Sequence, residues 1–343
     1  MDTKKRLGIG VIGTGGWAGS FWAEAQQAPE VELITCWDQA PGSAKSFAET
    51  YRCEAAPSLE GLLADSRVEG VAIFTPNNFH RAPAEAAAAA GKHVFTEKPI
   101  ANTVEDGAAI FRACAKAGVT LMVGHSSRYA GPPRALKAIL DSGRLGQIAM
   151  VEANHAHSGG RRVTEKEWRW HRDQAPGGPL MQLAVHDFDT LHYLFGATKR
   201  VTALSTSKLV DSEIEDIFLT LLEFESGLLG YVGTSYVSPP SNFTRIYGIG
   251  GNAYAEGGEI VLTKVKGPWE TEKETIIPPV VKHTAAEMTE FARAVRSGRP
   301  AETSGREGLL ALGVVLACLM SAERGCAVEV KEALGEAAGL IQQ

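Results

Sequence analysis

The chain has 343 residues, 44% of them apolar and 22% charged, with a formal net charge of −6 and a pI near 5.9. That is an ordinary soluble globular composition, long enough for two domains. It offers no basic footprint for nucleic acid and no polybasic patch for a membrane surface, and no apolar run is expected to reach transmembrane length.

The opening MDTKKRLGIGVIG is basic and then apolar, as a signal peptide would be. Its apolar part is short, glycine-rich and ends in a glycine loop, so residues 7–12 read as a first strand. A helix follows over 17–27, a second strand over 31–37, a helix over 43–51 and a third strand over 71–74. The alanine-rich stretch 79–90 is a helix closed by Gly91, and 93–95 is a fourth strand. A helix over 104–117 and a fifth strand over 119–123 complete the alternation. Strand and helix alternating in this way predict a doubly wound parallel sheet, a domain over 1–125.

From 126 to 343 the texture is that of an α+β domain. A helix over 133–142 leads into long candidate strands at 147–157, 200–209, 217–224, 228–237 and 243–249, a mostly antiparallel sheet. Helices are expected over 180–195, 285–297 and 307–324, the last two able to return to the first domain. Two domains pressed together would leave a cleft, where small ligands usually bind. The five cysteines, at 36, 53, 114, 318 and 326, form no CxxC and are odd in number. Free thiols in a reducing cytoplasm are expected.

After the first strand, Gly13-Thr14-Gly15-Gly16-Trp17-Ala18 fits G-x-G-x-x-G/A. The first glycine permits a tight turn, the second a close approach of pyrophosphate, and small Ala18 close helix–strand packing. The second strand ends at Asp38, which can bond both adenosine ribose hydroxyls and would repel a 2′-phosphate. No arginine follows it, so NAD is favoured over NADP; the competing structural reading is a cap for the next helix. The third strand ends in Thr75-Pro76-Asn77-Asn78, with His80 beyond, at the edge where the nicotinamide ribose would lie. Asn77 there is either a cofactor contact or plain turn chemistry. The fourth strand delivers Thr96-Glu97-Lys98-Pro99 to the same edge. Proline biases Lys98 toward an extended backbone. Its ammonium can donate to a substrate oxygen or, partly desolvated, relay a proton; the alternative is a surface lysine paired with Glu97.

GTGGWA, TPNNFH and GKHVFTEKPI together resemble the glucose–fructose oxidoreductase, inositol dehydrogenase and MocA family. SGRLG at 142–146, GGPL at 177–180 with His186 and Asp189, and the tail GREGLLALGVVLACLMSAERG extend the resemblance over nearly the whole chain. It implies a Rossmann domain followed by a domain with a large open sheet. It also implies NAD(P)-linked chemistry on a sugar, cyclitol or related polyol, and often pairing of open sheets into a homodimer or homotetramer. By the resemblance, His186 is the residue that exchanges the hydroxyl proton as hydride moves between a ring carbon and nicotinamide C4.

Gln182, His186 and Asp189 step by four and three along an apolar helix, so they share a face. Many family members carry aspartate where this chain has Gln182, whereas members acting at C3 of nucleotide sugars resemble it in carrying an amide. An amide takes no proton but can bond a substrate hydroxyl. His155 and His157, spaced i, i+2 on one strand, are a candidate metal pair with His186 or Asp187 nearby. Hydride transfer needs no metal, so none is expected, and His157 is assigned to the substrate pocket. Trp168, Arg169 and Arg172 read as a pocket wall able to stack on sugar rings and clamp anions, or as a subunit contact. Arg128 and Tyr129 follow the fifth strand and are expected to reach the substrate.

The resulting expectation is a cytoplasmic NAD-dependent dehydrogenase of a sugar, glycoside, sugar nucleotide or cyclitol, with C3 preferred. Lys98 would polarise the oxygen, His186 would move the proton and Gln182 would orient a hydroxyl. Two alternatives use the same parts. One is a glycoside hydrolase that recycles bound NAD through oxidation, elimination and reduction. The other is a non-catalytic dinucleotide-binding sensor.

Overall fold

The computed structural model describes residues 6–341. Its contacts divide the chain into two compact units. One comprises residues up to Tyr129 together with Lys282–Leu309; the other comprises Ala130–Val281 and residues from Leu310 on.

In the first unit the strands are β1 (Leu7–Ile12), β2 (Val31–Trp37), β3 (Glu54–Ala55), β4 (Gly70–Ile73), β5 (His93–Glu97) and β6 (Leu121–Gly124). They form a parallel sheet in the order β3-β2-β1-β4-β5-β6, the dinucleotide-binding order. The chain leaves β1 for β2 on one side and later returns to β4 on the other. The topological switch point therefore lies beyond the carboxyl ends of β1 and β4. The crossovers run through α1 (Gly16–Ala25), α2 (Pro41–Tyr51), α3 (Leu59–Ala64), α4 (Arg81–Ala89) and α5 (Val104–Ala117). The α5 ends follow from side-chain chemistry. Thr103 Oγ1 accepts the Asp106 N–H at 3.2 Å, and Gly118 closes the helix at φ 68°. Short β3 and α3 lie outside the predicted elements, because the segment that makes them lacks a sustained apolar period.

The second unit contains α6 (Gly131–Asp141), β7 (Ile148–Ala156), a π-helical turn (Leu180–Ala184) and α7 (Val185–Phe195). Then come β8 (Thr198–Thr206), β9 (Ile217–Phe224), β10 (Leu229–Ser235), β11 (Ser241–Gly248), β12 (Gly251–Glu256), β13 (Glu259–Gly267) and β14 (Glu270–Ile276). With β15 (Val328–Glu329) they form a nine-stranded sheet, antiparallel except where β7 meets β10. Along β9 the faces alternate cleanly: Phe218, Thr220 and Leu222 are buried, while Leu219 and Leu221 are exposed. Strands β12 to β14 extend the sheet beyond the predicted set. β14 is charged and exposed almost throughout, so it has no apolar alternation to read; it is a strand because β13 pairs with it.

Two long helices follow, α8 (His283–Ser297) and α9 (Gly305–Arg324). α8 belongs to the first unit, where Phe291 meets Phe95 at 6.0 Å between ring centroids. Phe95 in turn lies 5.5 Å from Phe21 in the same core. Contrary to the expectation that no apolar run is long enough, α9 has the length and mean hydropathy (1.5) to cross a membrane; 67% of that window is buried inside the protein.

Candidate active site

In the first unit the glycine loop is shaped by what lies behind it. Gly13 has φ +85°, and a Cβ there would stand 2.8 Å from the Thr75 nitrogen. Only glycine fits both the angle and the space. Gly15 and Gly16 are the reverse case. A Cβ at either would meet nothing within 4 Å. Gly15 caps α1 without a side-chain bond, and no acidic residue lies in the first turn. The first-turn N–H groups thus face open space with a positive helix end behind them. Ala18 is buried, and Trp17 is 44% exposed.

Asp38 ties the glycine loop to the turn that precedes α2. Its Oδ2 accepts the Thr14 N–H at 2.7 Å and the Thr14 hydroxyl at 3.1 Å; its Oδ1 accepts the Ala40 N–H at 2.8 Å. The N-cap of α2 is Ala40, with no side-chain cap bond, so Asp38 does not act as the helix cap that the competing reading expects. Beyond β4, Asn77 is buried with its Nδ2 donor lacking a hydrogen-bond partner, and the Thr75 hydroxyl next to it is likewise without one. Pro76 precedes that turn. Buried donors without partners are uncommon and point to a ligand's acceptors.

His80 is fully buried. Its Nδ1 lies 3.1 Å and 3.3 Å from the carbonyl oxygens of Pro99 and Ile100, and its Nε2 lies 3.0 Å from that of Thr75. The ring thus ties the loop after β4 to the loop after β5, and its polar atoms are spent on backbone. Burial pulls its pKa down, against the pull of the carbonyls. Glu97 is buried at the end of β5, where its Oε2 accepts the Lys98 N–H at 3.1 Å. Its Oε1 rests against Gly124, where a Cβ would come within 2.9 Å. Burial pushes the Glu97 carboxyl up, and the Lys98 charge opposes that push. Lys98 itself is half-buried, and the Lys98–Pro99 peptide is cis. Arg128 and Tyr129 are buried: Arg128 donates to the Glu302 carbonyl at 3.0 Å, and the Tyr129 hydroxyl bonds Thr303 at 3.3 Å. Both anchor the returning segment around residues 302–303 of their own unit, and the structure does not bring them to a surface.

In the second unit, Gly177 (φ +74°) and Gly178 (φ +45°) turn the chain into the π-helical turn that carries buried Gln182. Such turns recur at functional sites because the wider ladder re-aims side chains. His186, half-buried, opens α7 beside buried Asp187, and buried Asp189 follows. His155 of β7 faces them: its ring lies 5.9 Å from that of His186, and its Nδ1 lies 3.8 Å from Asp187 Oδ2. Burial alone drives the Asp187 carboxyl well above the usual range. His157 Nδ1 accepts the Gly159 N–H at 2.9 Å, and its ring stacks on buried Tyr236 at 5.3 Å. Arg169 lies over the Trp168 ring at 4.4 Å. Arg172 is tied to the loop ahead of β9, pairing with Glu215 while its N–H donates to Glu213 at 3.1 Å. Among the described residues no cluster suits a metal ion. Sequence reasoning names Asp187 only as a possible neighbour of the His155–His157 metal pair, and it does not single out Tyr236. Asp187 sits next to a marked histidine but reads as an ordinary helix-start residue, and Tyr236 carries no motif.

The first-unit groups fit a dinucleotide. An open glycine cradle at a helix start would suit pyrophosphate, Asp38 at the end of β2 would suit ribose hydroxyls, and Asn77 offers a buried donor at the switch point. Comparisons with known proteins agree. Residues 7–125 match the model of an oxidoreductase family with an NAD-binding Rossmann fold, and residues 134–254 match the GFO/IDH/MocA C-terminal domain. A 1,5-anhydro-D-fructose reductase of Ensifer adhaerens is 30% identical over 293 residues, 81% of this chain and 84% of that protein. A myo-inositol 2-dehydrogenase of Thermotoga maritima is 28% identical over 294 residues, 80% and 83% of the two chains. A solved structure from Desulfitobacterium hafniense, described as a candidate NADPH-dependent oxidoreductase, superposes with a TM-score of 0.93 at 29% identity; the match covers 96% of this chain and 99% of that one. The chain is an NAD-binding oxidoreductase and belongs to the GFO/IDH/MocA family.

Proposed function

We propose that the protein oxidises a ring hydroxyl of a sugar, glycoside, sugar nucleotide or cyclitol, C3 by preference, or reduces the corresponding ketone. NAD, held by the glycine cradle, Asp38 and the Asn77 turn, supplies the hydride acceptor. Lys98 donates a hydrogen bond to the reacting oxygen and stabilises the negative charge that grows there. His186 takes the hydroxyl proton, a task suited to an imidazole titrating near neutrality. Gln182 orients a neighbouring hydroxyl without exchanging protons. The observation that carries the reading is the second-unit constellation: the Gln182 amide on a π-helical turn, and the His186 imidazole at the start of α7 with the His155 ring 5.9 Å from it. The substrate class is supported by the relatives' names, a reductase of an anhydro-sugar and an inositol dehydrogenase. The amide at 182 supports C3, by resemblance to family members that act there.

The exposed sheet face, with Leu204 opposite Leu219 and Leu221 beside them, is the surface through which we expect copies to pair as a dimer or tetramer. The five free cysteines fit a reducing cytoplasm.

The test is a panel of sugars, glycosides, sugar nucleotides and cyclitols with NAD, followed at the reduced-nicotinamide band and for released aglycone. NADH formation is expected, with kcat/KM falling by about 10²–10⁴ in Lys98→Ala and in His186→Ala while NAD binding persists. Aglycone release without net NADH would replace this reading with the hydrolase. NAD binding without turnover on any substrate would replace it with the sensor.

A further inference from the structure

Lys98 stands where the sheet stops holding the chain. Strand β5 pairs with β6 as far as Glu97, opposite Gly124, and Lys98 is the next residue. Pro99 after it has no N–H, so that residue can be anchored only through its carbonyl. Two side chains take over from the ladder. Before Lys98, Glu97 Oε2 accepts the Lys98 N–H at 3.1 Å. After it, His80 Nδ1 lies 3.1 Å from the Pro99 carbonyl oxygen and 3.3 Å from that of Ile100.

His80 is a fixed post. It leads directly into α4, its own carbonyl accepts the Ala84 N–H at 3.2 Å, and it is fully buried. Its Nε2 lies 3.0 Å from the Thr75 carbonyl oxygen. Carbonyls only accept, so each of these contacts is a hydrogen bond only when that ring nitrogen carries a proton. A neutral imidazole has one N–H, and burial disfavours a second proton. Two acceptors converge on Nδ1 and one on Nε2. The single proton satisfies more at Nδ1, shared between the two carbonyls that follow Lys98.

We propose that His80 is a positioning residue: as the Nδ1–H tautomer it holds the Pro99 and Ile100 carbonyls, and so fixes the backbone from which Lys98 reaches the reacting oxygen. Glu97 grips that backbone on one side of the lysine and His80 on the other. The ring touches no ligand itself; its effect passes through Lys98. Misplacing a catalytic group by about 1 Å costs up to about 10²-fold in rate. The role rests on Lys98 as the group that meets the oxygen, but its first test needs no turnover.

Two substitutions separate positioning from mere support. His80→Asn places an amide donor where Nδ1 stands, facing the Pro99 and Ile100 carbonyls. His80→Gln reaches further and places its donor where Nε2 stands, facing the Thr75 carbonyl. Each variant keeps one side of the contact and drops the other. Lysines are dimethylated with ¹³C-formaldehyde, and the Lys98 methyl signal is identified by its loss in Lys98→Arg. In His80→Asn that signal should stay at its parental position. In His80→Gln it should move toward the position of exposed lysines. On a substrate from the panel, kcat should fall about 10²-fold in His80→Gln with NAD affinity retained, and His80→Asn should recover most of that loss. A Lys98 signal that moves equally in both variants, or in neither, overturns the proposal. Should His80→Gln fail to fold, ¹⁵N-histidine spectra of the parent protein decide: a proton on Nδ1 supports the assignment, and a bare Nδ1 with the proton on Nε2 overturns it. A silent substrate panel beside a Lys98 signal displaced only in His80→Gln would remove Lys98 from the chemistry and leave the His80 contact standing, so the two failures are told apart.

Discussion

Two glycines of one loop should respond to the same substitution in opposite ways. Gly15 has φ −66°, which alanine adopts freely, and its Cβ would meet nothing within 4 Å. Gly15→Ala should leave the fold intact or stabilise it by about 0.4–1 kcal/mol, by narrowing the unfolded ensemble. That corresponds to a Tm rise of at most about 4 °C in a chain of this size class. The same methyl group would occupy the cradle where backbone must approach pyrophosphate. NAD affinity should fall at least about tenfold, or 1.4 kcal/mol. Gly13→Ala inverts the pattern. Its φ of +85° costs an alanine about 1–2 kcal/mol, and a Cβ 2.8 Å from the Thr75 nitrogen forces two strand ends apart. With overpacking of about 1–3 kcal/mol added, a loss near 3 kcal/mol would lower Tm by roughly 6–12 °C. Calorimetric unfolding and titration with NAD measure both quantities on each variant. Unchanged NAD affinity in both Gly15→Ala and Gly16→Ala would refute the cradle, and an unchanged Tm in Gly13→Ala would refute the steric argument.

Glu97→Gln tests a buried carboxyl whose pKa the fold raises above its ordinary value of 4.5. The folded state then holds the proton more tightly than the unfolded state, so this group's contribution is lost as pH rises from 4.5 through the folded pKa. Glutamine has nothing to lose there. The stability of Glu97→Gln relative to the parent, from urea unfolding, should therefore improve as pH rises across that window. The slope should approach about 1.4 kcal/mol per pH unit. A difference that stays constant from about pH 4.5 to 8 would contradict it. On the open sheet, the double variant Leu219→Glu/Leu221→Glu places charge on two exposed apolar positions of one strand. It should sediment as a monomer with an unaltered unfolding transition; an oligomer of parental size would show that copies pair elsewhere.

Local chemistry carried much of the first unit. A turn that only glycine can make, a helix that starts at once, and an acidic residue at the next strand end all act within a few residues. Gly13 to Ala18, Asp38 and the Lys98 strand end were therefore legible without the fold. The spacing of Gln182 and His186 placed them on one helix, but the π-helical turn between Gly178 and Val185 was not legible, because a widened ladder leaves no mark in the apolar period. β14 has no pattern of its own and exists through its pairing with β13.

Arg128 and Tyr129 read as ligand groups from their types and position. Their burial was decided by residues 302–303, far along the chain but in the same unit. His155 and Asp187 show the same division. Each was visible as a residue type, yet only the packing of α7 on β7 brings imidazole and carboxyl to 3.8 Å and buries the carboxyl. Sequence periodicity determines which way a side chain points from its own backbone. Burial, and with it the protonation of a carboxyl, is set by what packs against that side chain, and only the tertiary structure decides that.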